Sequence, residues 1–358
     1  LVFLSVKVLL DRAVELGASD LHLCHGDRPL FRVRGELSRD ETFDRLSPED
    51  TRAMLYEIMS PEQQVSFEAN WEMDFSFTHV DPRGVSHRCR VNVYMDRGGV
   101  SAAIRVLPSS IRGIEELGLP SKLKEVAMRH SGLFLVTGPT GSGKSTTLAA
   151  MVEHVNRNRA CHIVTIEDPI EYLFSSKKSV INQREVGSDT RSFAEALRRV
   201  LRQDPDVIMV GEMRDLETIA AAITAAETGH LVLATLHTPD APQSVDRVVD
   251  VFPPSQQQQI KVQLSNVLLG VCAQRLVPSA DGRDRVLVTE LMIGTPAVRN
   301  LIREGKTYQL YNVIQTGQEQ GMHTMDQCLA RLLQEGRISL EVARSMARDP
   351  DRFYRGIL

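Results

Sequence analysis

Tryptophan occurs once in the 358 residues, aromatics make up only 5%, and lysine is outnumbered by arginine, 8 to 34. No stretch of 18 apolar residues exists either, so no segment reads as a membrane span. The one tempting run, residues 1–10, is too short to cross, lacks a small-residue cleavage site and leads straight into Asp11 and Arg12. It reads as the start of a buried helix. Strong positive charge is missing as well: the formal net charge is −4, which disfavours a nucleic-acid partner. The five cysteines, Cys24, Cys89, Cys161, Cys272 and Cys328, include no C-x-x-C pair. That pattern speaks for a reducing compartment and against a disulfide framework or a structural zinc.

What is present is an ordinary globular composition, 42% apolar and 25% charged, in a chain long enough for two or three domains. The arginine excess reflects either compositional bias or sites for ion pairs and phosphates, which arginine serves better than lysine. Up to about Ile104 the chain reads as short alternating strands with one or two helices and frequent turn signals. Residues 107–120, which carry Pro108, Gly113, Gly118 and Pro120, form the natural linker. From residue 133 onward, apolar runs at 133–137, 162–166, 207–211, 231–236 and 286–292 alternate with segments of helical period. This is the pattern of an α/β domain whose parallel sheet is covered on both faces. Residues 193–201 and 216–223 carry apolar side chains at helical spacing, and 296–303 and 325–335 read as short helices of a C-terminal tail.

The sharpest signal is Gly138-Pro139-Thr140-Gly141-Ser142-Gly143-Lys144-Ser145-Thr146, a complete G-x-x-x-x-G-K-[ST] loop between an apolar strand and a helix. Its glycines let backbone N–H groups wrap phosphates at a helix N-terminus, Lys144 reaches the β and γ phosphates, and the Ser145 hydroxyl ligates Mg²⁺. An ATP-hydrolysing site also needs an acid at the end of a neighbouring strand. Val207-Ile208-Met209-Val210-Gly211-Glu212 supplies one, and Glu212 is the expected base or water-positioning residue as well as a metal-shell carboxylate. A second acidic cluster, Glu167-Asp168-Pro169-Ile170-Glu171, follows the run at 162–166 and is either functional or merely solvated. His230 and His237 flank the run at 231–236. Each is either a structural histidine or a member of the site, and only His237 stands at the carboxyl end of its strand.

If Arg97-Gly98 is a two-residue hairpin loop, Arg90 lies directly opposite Arg105, on the polar face of the pair. Opposed like charges are destabilising unless an anion lies between or above them. A neighbouring carboxylate or a nucleotide phosphate would resolve the conflict, the carboxylate being the commoner solution. His22, Cys24 and His25 do not make a metal site, because strand alternation puts His25 on the opposite face and no fourth ligand is spaced to join them.

Taken together, these segments resemble the secretion-type hexameric ATPases of type IV pilus and type II secretion machines, and most closely their pilus-retraction branch. The resemblance covers nearly the whole chain. It rests on Ala18-Ser19-Asp20-Leu21-His22-Leu23, the phosphate loop, the Asp box at 165–171, Asn182-Gln183-Arg184-Glu185-Val186, the Walker B segment Val210-Gly211-Glu212-Met213-Arg214-Asp215, and the His box from Ala226 to Thr238. Ala297-Val298-Arg299-Asn300-Leu301-Ile302-Arg303-Glu304 resembles a segment tied to retraction. Arg299 and Leu301 are therefore expected to serve a partner or transmit motion rather than hold the fold.

The resemblance implies a PAS-like α+β domain over 1–107, a linker over 108–120, and a RecA-like ATPase domain over 121–358 with C-terminal helices from about 296. It further implies a homohexamer that binds ATP and Mg²⁺ between subunits, without nucleic acid, in the cytoplasm against an inner-membrane pilus platform met through 297–304. It assigns catalytic roles to Glu212, Glu171, His230 and His237, arginine-finger roles to Arg90 and Arg105, a nucleotide contact to Arg275, and metal contacts to Ser145, Glu171 and Glu212. An accessory retraction paralogue, a pilus-assembly or secretion ATPase, and an ATP-gated protein without turnover are the competing readings.

Overall fold

The computed structural model describes residues 4–33, 35–107 and 110–353. The chain forms two compact units: Leu1–Ser110 with Pro169–Leu173, and Ile111–Asp168 with Phe174–Leu358. Of the expected linker, Pro108 and Ser109 lie outside the described residues, while Ile114 and Leu119 are buried in the core of the second unit.

The first unit runs α1 (Val6–Leu16), β1 (Asp20–Leu23), β2 (Leu30–Val33), β3 (Glu36–Arg39), α2 (Pro48–Glu57), α3 (Pro61–Asn70), β4 (Glu72–Val80), β5 (Ser86–Asp96) and β6 (Gly99–Val106). The apolar opening is α1, which buries Val6, Leu9, Leu10 and Ala13 at the i, i+3, i+4, i+7 spacing of one helix face. Helices α2 and α3 both begin with a serine cap and a proline at the first position. Ser47 with Asp50, and Ser60 with Gln63, close reciprocal capping boxes that satisfy otherwise orphaned N–H groups. Among the described residues the six strands pair antiparallel in the order β3-β2-β1-β6-β5-β4. The β5–β6 hairpin turns through Arg97 (φ 45°) and Gly98 (φ 84°), the two positive φ values that a two-residue turn of this hand demands. Its register sets Arg90 opposite Arg105 as the sequence predicts, while Cys89, Val91, Val93, Ala102 and Ile104 face the helices and form the core.

The second unit continues with α4 (Lys122–Ala127), β7 (Gly132–Thr137), α5 (Lys144–Asn158), β8 (His162–Glu167), β9 (Val180–Glu185), α6 (Phe193–Val200), β10 (Val207–Val210), α7 (Leu216–Glu227) and β11 (Leu231–Leu236). It ends with α8 (Ala241–Asp250), α9 (Pro254–Val267), β12 (Leu268–Pro278), β13 (Arg285–Ile293), α10 (Pro296–Glu304), α11 (Leu310–Thr316), α12 (Met325–Gln334) and α13 (Leu340–Met346). Among the described residues the seven strands are ordered β13-β12-β7-β11-β10-β8-β9, parallel except for β13 against β12. Both faces are covered, so successive strand residues enter different cores. Leu133, Leu135, Ile208 and Val210 pack with α6 to α10, while Phe134, Val136, Val207 and Met209 pack with α4 and α5. That is why these strands read as unbroken apolar runs.

Two strands escaped the sequence reading. Strand β12 begins at the residue that follows α9, and no turn residue marks the change of period. Strand β9 is a polar edge strand, Val180-Ile181-Asn182-Gln183-Arg184-Glu185, without an apolar run to betray it.

The expected partner segment, residues 297–304, lies on helix α10. Arg299 bonds within its own subunit: its Nε donates to Gly294 O at 2.8 Å, Nη1 to Asn266 O at 2.7 Å and Nη2 to Leu268 O at 3.4 Å. It thereby neutralises the carboxyl end of α9, where orphaned carbonyls favour a cation. Leu301 packs against the core and Val298 and Ile302 are fully buried, which leaves Ala297, Asn300, Arg303 and Glu304 exposed.

Candidate active site

The phosphate loop leaves β7 at Thr137 and enters α5 at Lys144. Gly138, Gly141 and Gly143 have φ values of 143°, 78° and 86°, conformations that side chains disfavour. At Gly138 space forbids one as well, because an added Cβ would lie 2.3 Å from Gln274 O and 2.7 Å from Ser142 Oγ. No side chain caps α5, so its first N–H groups face the loop together with the positive end of a 15-residue helix. Lys144 is folded onto its own loop, with Nζ donating to Gly138 O at 2.9 Å and Pro139 O at 3.0 Å. Ser145, Pro139, Thr140 and Gly141 are exposed, whereas the Ser142 hydroxyl is buried and has no hydrogen-bond partner among the described residues. Thr146 lines a cavity of about 310 Å³ with Thr147, Leu117, Leu276, Leu287 and Arg337. Such a cradle of N–H donors, one cation and an exposed hydroxyl fits a phosphate chain and a hard divalent cation.

Strand order places the acid. Only β11 separates β7 from β10, and the registers set Val210 level with Ala234 and Ala234 level with Leu135. Glu212 therefore leaves the sheet at the same edge as the phosphate loop, roughly 10 Å away at the usual strand spacing. Its carboxylate is mostly buried and held on both oxygens, by Arg214 Nη2 at 2.7 Å and His237 Nε2 at 3.3 Å. The backbone around it is pinned by Thr235, whose hydroxyl donates to Gly211 O at 2.5 Å and whose carbonyl accepts from Met213 N at 3.1 Å.

His237 and Glu212 are thus brought together, but His230 is not. It precedes β11 at the opposite edge of the sheet, seven residues or roughly 20 Å of strand from His237. Its Nδ1 lies 3.0 Å from Ala225 O and 3.2 Å from Thr228 Oγ1, contacts that close the end of α7. Within its own subunit, His230 thus makes contacts at the end of α7 rather than with Glu212.

Arg275, on β12, lines an open cavity of about 930 Å³ with Pro139, Thr140, Gly141, Arg285 and Met346. Its Nε is buried and has no hydrogen-bond partner among the described residues, an orphaned donor beside the phosphate loop. The arginine pair of the first unit is resolved by carboxylates. Arg90 Nη2 meets Glu171 Oε1 at 2.6 Å and Arg105 Nε meets Asp20 Oδ1 at 2.9 Å. Burial works against the Asp20 charge, but the Ser19 hydroxyl and Arg105 outweigh it and hold this carboxyl below its usual range. Glu171, expected as a metal donor, is here an ion-pair partner within the first unit. The carboxylate that stays at the edge of the second sheet is Glu167, the last residue of β8, which accepts from Thr165 Oγ1 at 2.6 Å and Gln183 Nε2 at 3.2 Å. Glu167 and Arg214 stood inside motifs that the sequence marks without a role of their own, and Gln274 was not marked at all. For Glu167 the signal was its place at the strand end itself.

The chain matches the family described as "Type II/IV secretion system protein" over residues 2–295. It is 49% identical to the type IV pilus retraction ATPase PilT of Pseudomonas aeruginosa over 98% of this chain and 100% of that one. The type IV pilus ATPase PilU of the same organism is 42% identical over 95% of this chain and 87% of its own length. Among solved structures, the pilus retraction motor PilT with bound ADP superimposes with a TM-score of 0.90 at 50% identity, covering 98% of this chain and 99% of that one. The ATPase DotB of Legionella pneumophila follows with a TM-score of 0.78 at 28% identity over 97% and 96%. A RecA-like unit with a helical C-terminal region, preceded by an α+β unit, is common ground with these proteins, and the chain belongs to the type II/IV secretion system protein family.

Proposed function

We propose that this chain is the subunit of a hexameric, Mg²⁺-dependent ATPase motor that powers pilus retraction from the cytoplasmic face of the inner membrane. The observation that carries the chemistry is the Glu212–His237 pair at the strand ends beside the phosphate loop. Similarity to a retraction ATPase along nearly the whole chain, at 49% identity, supports the biological role. Among the described residues no helix is long and apolar enough to cross a membrane, so attachment would be peripheral.

In this reading the N–H groups of Gly141 to Lys144 and the α5 N-terminus receive the β-phosphate, and Lys144 exchanges its two carbonyl partners for the β and γ oxygens. Ser145 and Glu212, with Glu171 as the further carboxylate the resemblance expects, are the residues that would hold Mg²⁺, which supplies charge neutralisation at the phosphate oxygens. Glu212 orients the attacking water and takes its proton, and His237 with Arg214 fixes the carboxylate in place. Arg275 contributes charge at the loop's outer side. Arg90 and Arg105 reach the nucleotide of a neighbouring subunit, leaving Glu171 and Asp20 as the interface closes. The platform partner would meet the exposed residues of α10, namely Ala297, Asn300, Arg303 and Glu304. Steady-state phosphate release by the wild-type protein and by Glu212→Gln tests the assignment.

A further inference from the structure

The phosphate loop poses a mechanical problem. Its positive-φ glycines make it intrinsically loose, yet its N–H groups must converge on a phosphate before one arrives. Lys144 ties Gly138 and Pro139 from the inside, but those bonds are lost when the ammonium turns to a nucleotide. Something else has to keep the loop in shape at that moment.

We propose that Gln274 is the positioning residue of the phosphate loop, a strand-anchored amide that holds the loop in its nucleotide-receiving conformation independently of Lys144. Its side chain is only 1% exposed and both amide atoms are used. Nε2 donates to Ser142 O at 2.7 Å, within the loop, and Oε1 accepts from Thr147 Oγ1 at 2.8 Å, on the first turn of α5. The two contacts fix the amide orientation, since Ser142 O can only accept. They span the segment that carries Gly143, Lys144 and Ser145, and neither uses a group that faces phosphate.

The anchor itself is rigid. Residue 274 sits in the middle of β12, paired with Thr289 of β13, while the preceding Ala273 pairs with Thr137 at the end of β7. The backbone takes part too, because Gln274 O passes so near Gly138 that a Cβ there would lie 2.3 Å from it. On the far side, a Cβ at Gly143 would meet Gln274 Nε2 at 3.3 Å. One residue from outside the motif thus borders two of its glycines and bonds to Ser142 within it and to Thr147 just beyond it. Leaving either buried partner unpaired costs more than a hydrogen bond returns, so the loop is held firmly.

This inference rests on the nucleotide reading above, and the experiment separates the two. The full chain is titrated with fluorescent MANT-ADP to obtain the dissociation constant and the number of sites per subunit. Gln274→Met, which keeps length and volume but removes both hydrogen bonds, is expected to weaken binding at least tenfold, equivalent to about 1.4 kcal/mol, with unchanged stoichiometry. Thr147→Val is expected to weaken it in the same direction, and Thr147→Ser, which retains the hydroxyl, to restore it. The double variant Gln274→Met with Thr147→Val should bind no more weakly than Gln274→Met alone, because the two share one interaction. A residue with only a packing role would instead lower the number of competent sites and leave the affinity of the remainder intact, which would overturn the proposal. So would an affinity within twofold of wild type for Gln274→Met. Should that variant not fold, the Thr147→Val and Thr147→Ser pair decides, equal affinities overturning the proposal and a tenfold gap supporting it. Lys144→Ala is the control: if it too bound MANT-ADP normally, the nucleotide site itself would be misplaced, whatever Gln274 did.

Discussion

Acidification should loosen the C-terminal tail through His323, and the size of the effect follows from its surroundings. The imidazole precedes α12 and lies between that helix and β13, with Nε2 2.8 Å from Thr289 Oγ1 and its backbone bridged to Leu291 on both sides. Burial, and next the charge of Arg331, push its pKa down from 6.5 to about 4. The unfolded chain therefore binds a proton that the folded one refuses. The stabilisation is complete above pH 6.5 and drains away as the pH falls toward 4. A shift of this size amounts to about 3 kcal/mol in full and about 2 kcal/mol at pH 5. Urea denaturation of the wild type and of His323→Gln at several pH values from 7.5 to 5 measures it. The wild type should lose about 2 kcal/mol more than the variant over that range. Parallel losses would show that His323 is not buried neutral, and the reasoning would fail.

Arg299→Ala strips the carboxyl end of α9 of its cation and leaves three carbonyls without their donor, so a loss of about 2 kcal/mol in unfolding free energy is expected. Arg303→Ala, on the exposed side of the same helix, should stay within about 0.5 kcal/mol of wild type and keep full ATPase activity. In mixed rings of Arg90→Ala/Arg105→Ala with Glu212→Gln subunits, some interfaces pair an intact Glu212 with intact arginines. Partial ATPase activity should return there, and none would return if the arginines served only their own carboxylates.

The sequence made the phosphate loop, the Walker B acid and the β5–β6 register legible because each depends on local chemistry: glycine placement, an acid ending an apolar run, and a two-residue turn. The arginine pair was half legible. Opposed guanidinia announce an anion, but only the structure names Glu171 and Asp20, which are 81 and 85 residues distant in sequence. Gln274 was hidden for a different reason. It lies on a strand that begins where a helix stops, and its partnership with Ser142 and Thr147 spans more than 120 residues. The packing of Arg299 was not legible, because an arginine on an amphipathic helix looks like a surface residue until the neighbouring helix end is placed beneath it.

The central claim is that Glu212 performs the hydrolytic step at a nucleotide held by the phosphate loop, and phosphate release from Glu212→Gln tests it most directly. The substitution keeps size and hydrogen bonding but removes the charge that takes the proton from water. Turnover should fall by at least a hundredfold while the variant still binds ATP at one site per subunit and retains it through gel filtration. Phosphate release at the wild-type rate, with ATP bound, would contradict the account and move the catalytic carboxylate elsewhere along the sheet edge.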